Sequence, residues 1–250
     1  MARILELLLM LAFTIGTAAA RDQPYTHIQF GPADISLGGE YRLRGEYDNN
    51  FDIKKYAPEN DDDFVLSRLR FDVNAAFTPA FKTVFQFQDA RVFGSAFDDA
   101  DFSSSNPYHD NMDIRQAYID YKMTHNLAFK LGRQQIGFGD NRIFGPGNWG
   151  NIGRYVWDAV QMQFSNSWME SHTLFGRYII SDPDRWPNKH ADGPTAYANY
   201  TMLKNLPVDV DLFYVLKSDT CGETIGESGV GNLSCHSAGF ALDDTLNQWD

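Results

Sequence analysis

The sequence predicts an all-β protein, a transmembrane antiparallel β-barrel of the outer-membrane type. Three observations carry that prediction. Long stretches alternate apolar and polar residues with period two, the spacing of a strand with one dry and one wet face. The clearest of them reach the roughly 9 to 11 residues that a tilted strand needs to cross a bilayer, beyond the five or six usual in soluble strands. Short turns also alternate with long loops along the chain, the rhythm of barrels with tight periplasmic turns and long extracellular loops.

Composition narrows the class further. The 250 residues are 43% hydrophobic, with 19 phenylalanines, 12 tyrosines and 20 glycines, and mean hydropathy is −0.39. Beyond the N-terminus no apolar run approaches 18 residues, which excludes a helical span but not a barrel, whose strands hide their hydrophobicity in alternation. Met1 to Ala20 reads as a secretory signal: Arg3, an apolar core from Ile4 to Ile15, then Ala18-Ala19-Ala20 as a small-residue cleavage site. The expected organisation is therefore a signal peptide over 1–20 and one barrel domain over 21–250. Export into an oxidising compartment makes a Cys221–Cys235 disulfide the expectation. Neither cysteine has metal-ligand spacing around it.

Ile35 to Tyr47 gives the cleanest alternation, with Ile35, Leu37, Tyr41, Leu43 and Tyr47 on one face and Glu40, Arg42, Arg44 and Glu46 on the other. After a polar loop, Asp48 to Asp63, comes a hairpin. Its first arm sets Val65, Leu69, Phe71 and Val73 against Arg68, Arg70 and Asp72, and its second sets Phe81, Phe85 and Phe87 against Lys82, Gln86 and Gln88. Thr78-Pro79-Ala80 turns between them, since Pro79 cannot continue the ladder. A second long loop, Ser95 to Met112, leads to Gln116 to Met123, a short turn, and Leu127 to Gln134. The segments Tyr155 to Phe164, Ser171 to Ile180, Thr195 to Leu203, Val208 to Leu216 and Cys235 to Leu242 complete about ten strands with less regular faces. Closure requires the first and last strands of a barrel to pair, and the expected reading is the front part of a larger barrel.

The formal charge is −12, but it is unevenly placed. The candidate loops and the C-terminal stretch hold −16 between them and leave +4 elsewhere. Acid thus concentrates in loops while arginine lies on strands. Acidic extracellular loops at a lipopolysaccharide surface are where divalent cations would bind, although plain solvation is the preferred reading and no cofactor is called for. On the strands, Arg42, Arg44, Arg68 and Arg70 share the wet parity with Glu40, Glu46 and Asp72. Guanidinium groups bind carboxylates through paired hydrogen bonds and stay charged at any working pH, so such a face suits anionic solutes. The acids between them would keep binding weak enough for release, or would pair with the arginines as a purely structural network.

The segments LGGEYRLRGEYDNNF, DDFVLSRLRFDVNAAFTPAFKTVFQFQDARVFG, DIRQAYIDY, LAFKLGRQQIGFGDNRIFGPGNWGNIGR and WDAVQMQF resemble, in order and spacing, the alginate export family of outer-membrane porins. The resemblance implies an eighteen-stranded monomeric barrel whose arginine-rich pore passes an anionic polysaccharide outward, with periplasmic export components as partners alongside outer-membrane lipid and lipopolysaccharide. It also implies that Arg91 in QDAR, Arg115 in DIRQ and Arg133 in GRQ face the pore. Alternation places all three on the lipid side, so the two readings conflict unless a bulge turns the residues inward. Arg142, with Asp140 and Arg154, lies in the Gly137 to Arg154 loop, which either folds inward to narrow the pore or is an ordinary surface loop.

Other functions fit less well. Catalysis would need convergent Ser, His and Asp, whereas His109, His125, His172 and His190 are scattered and no G-x-S-x-G occurs. The expectation is a non-enzymatic channel in the outer membrane of a Gram-negative bacterium, with no nucleic-acid partner. A general anion or small-solute porin and a surface adhesion or receptor barrel are the alternatives.

Overall fold

The structure, a computed structural model, describes residues 25–49, 61–101, 106–139, 150–153, 156–190, 195–226 and 229–243. The expected signal peptide lies outside them. Among the described residues twelve antiparallel strands form one sheet in sequential order: β1 (Thr26–Phe30), β2 (Ala33–Asn49), β3 (Asp61–Thr78), β4 (Phe81–Phe93), β5 (Asp110–Lys122), β6 (Leu127–Gln135), β7 (Val156–Ser165), β8 (Met169–Ile180), β9 (Lys189–His190), β10 (Thr195–Leu203), β11 (Asp209–Gly226) and β12 (Gly229–Asp243). Among the described residues the two-residue β9 pairs only with β8, whose other neighbours are β7 and β10. The sheet is not closed among the described residues, because β1 and β12 each have a single partner.

The alternation in the sequence becomes two faces. One is an exposed apolar face carrying Tyr41, Leu43, Leu69, Phe71, Phe85, Leu131, Val160, Phe175 and Tyr197. Such a surface on a soluble protein would be an association or aggregation site, whereas against lipid it is the expected outer wall. The other face is polar and largely covered. Register joins the rows across strands: Leu131 stands opposite Val160, Val160 opposite Phe175, and Phe175 opposite Tyr197.

Two-residue and four-residue turns close β3–β4 and β5–β6 at one end of the sheet, and Phe77 and Phe81 meet beside the first with ring centroids 5.6 Å apart. The longer connections lie at the other end, with one departure from expectation. The predicted long loop between Leu216 and Cys235 is instead a continuation of the β11–β12 hairpin, paired through Gly226 opposite Gly229 across an irregularity between Asp219 and Thr224. Its acid and glycine content mimics a loop, but cross-strand pairing carries it past the length needed to cross a membrane. This also overturns the expected disulfide. Cys235 faces Lys217 in the ladder while Cys221 lies beyond Asp219, and both thiols are free and exposed.

Between β5 and β6 the ladder stops at Ala117 opposite Arg133, leaving the upper part of β5 without a strand on that side. The segment after β8 fills the gap. Asn111 donates to Pro183 O at 2.8 Å, and Asn188 donates from its backbone to Asp113 at 2.9 Å and from its side chain to Asp110 at 2.8 Å. A bare strand edge in a membrane wall would leave backbone groups unpaired at several kcal/mol each.

Candidate functional site

The polar face is densest over β2 to β5. Glu40 stands opposite Arg70 and Arg70 opposite Gln88, while Arg42 stands opposite Arg68. Like charges directly opposed across a ladder are destabilising, so the Arg42–Arg68 pair needs compensation. Part of it is local, since Arg68 ion-pairs with Glu40. The rest comes from the chain just before β7. Arg42 Nη2 donates to Gly150 O at 3.2 Å and to the Asn151 side-chain oxygen at 3.4 Å, and Arg68 Nη1 donates to Asn151 O at 3.3 Å.

Residues 150–153 are thus laid onto the polar face, and Asn151 is their peg. It is completely buried, and its side-chain amide donates to the carbonyls of Ser67, Tyr108 and Arg91 at 2.8, 3.0 and 3.1 Å. Gln88 Nε2 donates to Ile152 O at 2.9 Å. Gly153 has φ +68, and a Cβ there would lie 2.9 Å from Arg115 Nη2 and 3.4 Å from Arg70 Nη2. Glycine is therefore what lets the chain pass over two converging guanidinium groups.

Arg115 reaches this cluster because β5 is irregular. Gln86 pairs with Gln116 but the next residue, Phe87, pairs with Ile114, so Arg115 is the extra residue of a bulge. The bulge turns it from the parity of Ala117 and Ile119 to the polar face. There it is buried, donating from Nη1 to Ile152 O at 2.9 Å and Gly153 O at 3.3 Å, and from Nη2 to Gln135 at 3.2 Å. A cavity of about 200 Å³ adjoins it, lined also by Gln88, Asp110, Asp113 and Asn188.

The remaining candidates separate by face. Arg44 shares the polar face and ion-pairs with Glu46. Asp72 accepts from Gln86 at 2.6 Å rather than from an arginine. Arg70 uses only Nε, which donates to Gln88 at 2.7 Å, so among the described residues its two terminal nitrogens have no hydrogen bond. Arg142 falls outside the described residues, as do Asp140 and Arg154.

Arg91 and Arg133 correct the resemblance. The β3–β4 ladder runs without interruption from Val65 opposite Phe93 to Ala76 opposite Lys82, so no bulge reorients Arg91. It stands on the apolar face, opposite Ser67, and chelates Asp89 at 2.8 and 3.0 Å. Arg133 pairs across to Asp158 in the row beyond Leu131 and Val160, with hydrogen bonds of 3.0 and 3.3 Å, and Asn188 O caps it at 2.7 Å. Gly132 beside it has φ +119 and lies so close to Ala117 O that a Cβ would sit 2.4 Å from it. Both arginines lie near the long-loop ends of their strands, where the cost of an outward arginine falls from about 2–4 kcal/mol at the bilayer midplane to about 0–1.

A second patch covers the polar face of β7, β8 and β10. Ile136, just past β6, packs with Ala159, Leu174 and Ala198. Phe138 stacks on Tyr200 at 4.9 Å and tilts against His172 at 5.0 Å. His172 bonds to Gln161 and Glu170, and Glu170 pairs with Lys204 at 3.0 Å. Both ends of the β6–β7 connection therefore lie on the polar face. Sequence reasoning missed Asn151 and Phe138, whose neighbouring Gly and Asn residues indicate a loop but not where it docks. Gln88 carried a usable signal, its wet parity on the second hairpin arm.

A membrane-length antiparallel sheet with an apolar outer face and a charged, chain-covered inner face is the wall of a β-barrel of the outer-membrane type. A family model described as alginate export matches residues 33–206, from β2 through β10 and more than half of the chain, and the protein belongs to that family. A comparison with curated proteins finds no match.

Proposed function

We propose that the protein is an outer-membrane channel whose arginine-bearing face conducts anionic solutes, most specifically an alginate-like polyuronate. The single observation that carries this reading is the convergence of Arg42, Arg68, Arg70 and Arg115, from three strands, on one patch where, among the described residues, Glu40 is the only carboxylate ion-paired to any of them. Family membership supports the transport role and its substrate class. Within a low-dielectric wall, a few fixed guanidinium groups focus enough field to select anions.

The arginines divide the work. Arg42, Arg68 and Arg115 hold the 150–153 segment and so fix the width of the path beside it. Arg70 keeps donors for a passing carboxylate, which it would engage through charge-assisted bonds that break readily when only one or two form.

The test is current block in planar bilayers holding the full-length protein. Short polyuronate chains added on one side should interrupt the current in a length-dependent way, and neutral dextrans of equal length should not. Equal block by both would place the protein among general solute porins, and no block by either would remove polysaccharide from the reading altogether.

A further inference from the structure

We propose that the outer wall carries a docking site for the phosphate of an outer-leaflet glycolipid, centred on Arg177 of β8. Three observations define it. Arg177 has the parity of Phe175, which is 46% exposed on the apolar face. Register sets it opposite Asp158, but both carboxylate oxygens of Asp158 accept from Arg133. Among the described residues Arg177 forms no hydrogen bond and no ion pair. Arg177 is half-buried, and its parity with Phe175 sets it on the apolar face with its fork of donors unspent among the described residues.

Its level matters as much as its direction. The row Leu131, Val160, Phe175, Tyr197 is wholly apolar, and the row two residues further along the same strands is Arg133, Asp158, Arg177. Two residues of strand rise about 7 Å, so hydrophobic wall gives way to charge within one step, as it would where acyl chains meet headgroups. This happens at the end of the strands that carries the long connections, the end that barrels of this type turn outward. Arg91 with Asp89 repeats the arrangement on β4, also close to that end and on the same face.

A guanidinium at this boundary pairs best with a group that is anionic, offers several oxygens and is tethered at the same height. A phosphate on a lipid headgroup meets all three conditions, and bidentate guanidinium–phosphate bonding supplies the geometry. The neighbouring Arg133–Asp158 pair holds the row rigid without competing for the ligand. Arg91, already chelated by Asp89, would contribute less.

The test uses the full-length protein purified in detergent and native mass spectrometry with two probes, diphosphorylated lipid A and the same lipid after phosphatase treatment. The protein should retain the phosphorylated form about tenfold better, the scale of one charge-assisted contact. Arg177→Ala should abolish most of that preference, Arg177→Lys should restore part of it, and Arg91→Ala should reduce it less. Channel current should be unchanged in Arg177→Ala, since the side chain is on the outer wall. Equal retention of both lipids by the unmodified protein, or an undiminished preference in a folded Arg177→Ala variant, would overturn the proposal.

Discussion

The two ends of the β6–β7 connection dock on the same face of the sheet by opposite means. Residues 136–139 dock by packing, with Ile136 in a cluster of Ala159, Leu174 and Ala198 and Phe138 stacked on Tyr200. Residues 150–153 dock by hydrogen bonds, with Asn151 and three arginines sharing the backbone carbonyls. The difference shows how a charged path can be narrowed without being blocked. The packed end needs no charge and sits where the face is apolar enough to cover, whereas the bonded end satisfies some arginine donors through neutral carbonyls and leaves their net charge in place.

Breaking the bonded end should have the larger effect. Asn151→Ala removes one donor shared among three buried carbonyls, and a destabilisation of about 2–3 kcal/mol is expected, at roughly 1 kcal/mol per acceptor left short. It would be read as a fall in the urea midpoint of the refolded protein with unchanged slope. Conductance should rise in the same variant as residues 150–153 leave the face. Phe138→Ala should cost about 1–2 kcal/mol, from lost ring area and stacking, because the ring is only partly buried. Its destabilisation should be insensitive to salt, whereas the Asn151→Ala conductance change should shrink as salt screens the exposed arginines. Arg70→Ala, which touches neither end directly but leaves the buried Gln88 side-chain oxygen without its donor, should cost about 1 kcal/mol.

A smaller prediction concerns the far hairpin. With both thiols free and exposed, the folded protein should take two maleimide labels per chain without prior reduction. A yield of none would restore the disulfide that the sequence suggests.

Legibility followed regularity. Alternation through Glu40, Arg42, Arg68, Arg70 and Gln88 was readable because period two holds around these residues, and the ladders pair them without a shift. Arg115 was not readable, since a one-residue bulge inverts parity and leaves no compositional mark; only likeness to a family motif pointed inward. The same likeness failed at Arg91, where the ladder is regular and alternation was the better guide. β1 escaped notice because its five residues are all exposed and its pattern is short. The docking of Asn151 depends on carbonyls from three distant segments, which no local pattern records.

Whether the arginines of β2, β3 and β5 set the charge preference of the path is read most directly from the reversal potential of the full-length protein in a planar bilayer under a potassium chloride gradient. The expected sign is that of chloride selectivity, reduced in Arg70→Ala and reversed in Arg70→Glu. A potential of the potassium sign in the unmodified protein would contradict the assignment of these arginines to the conducting face.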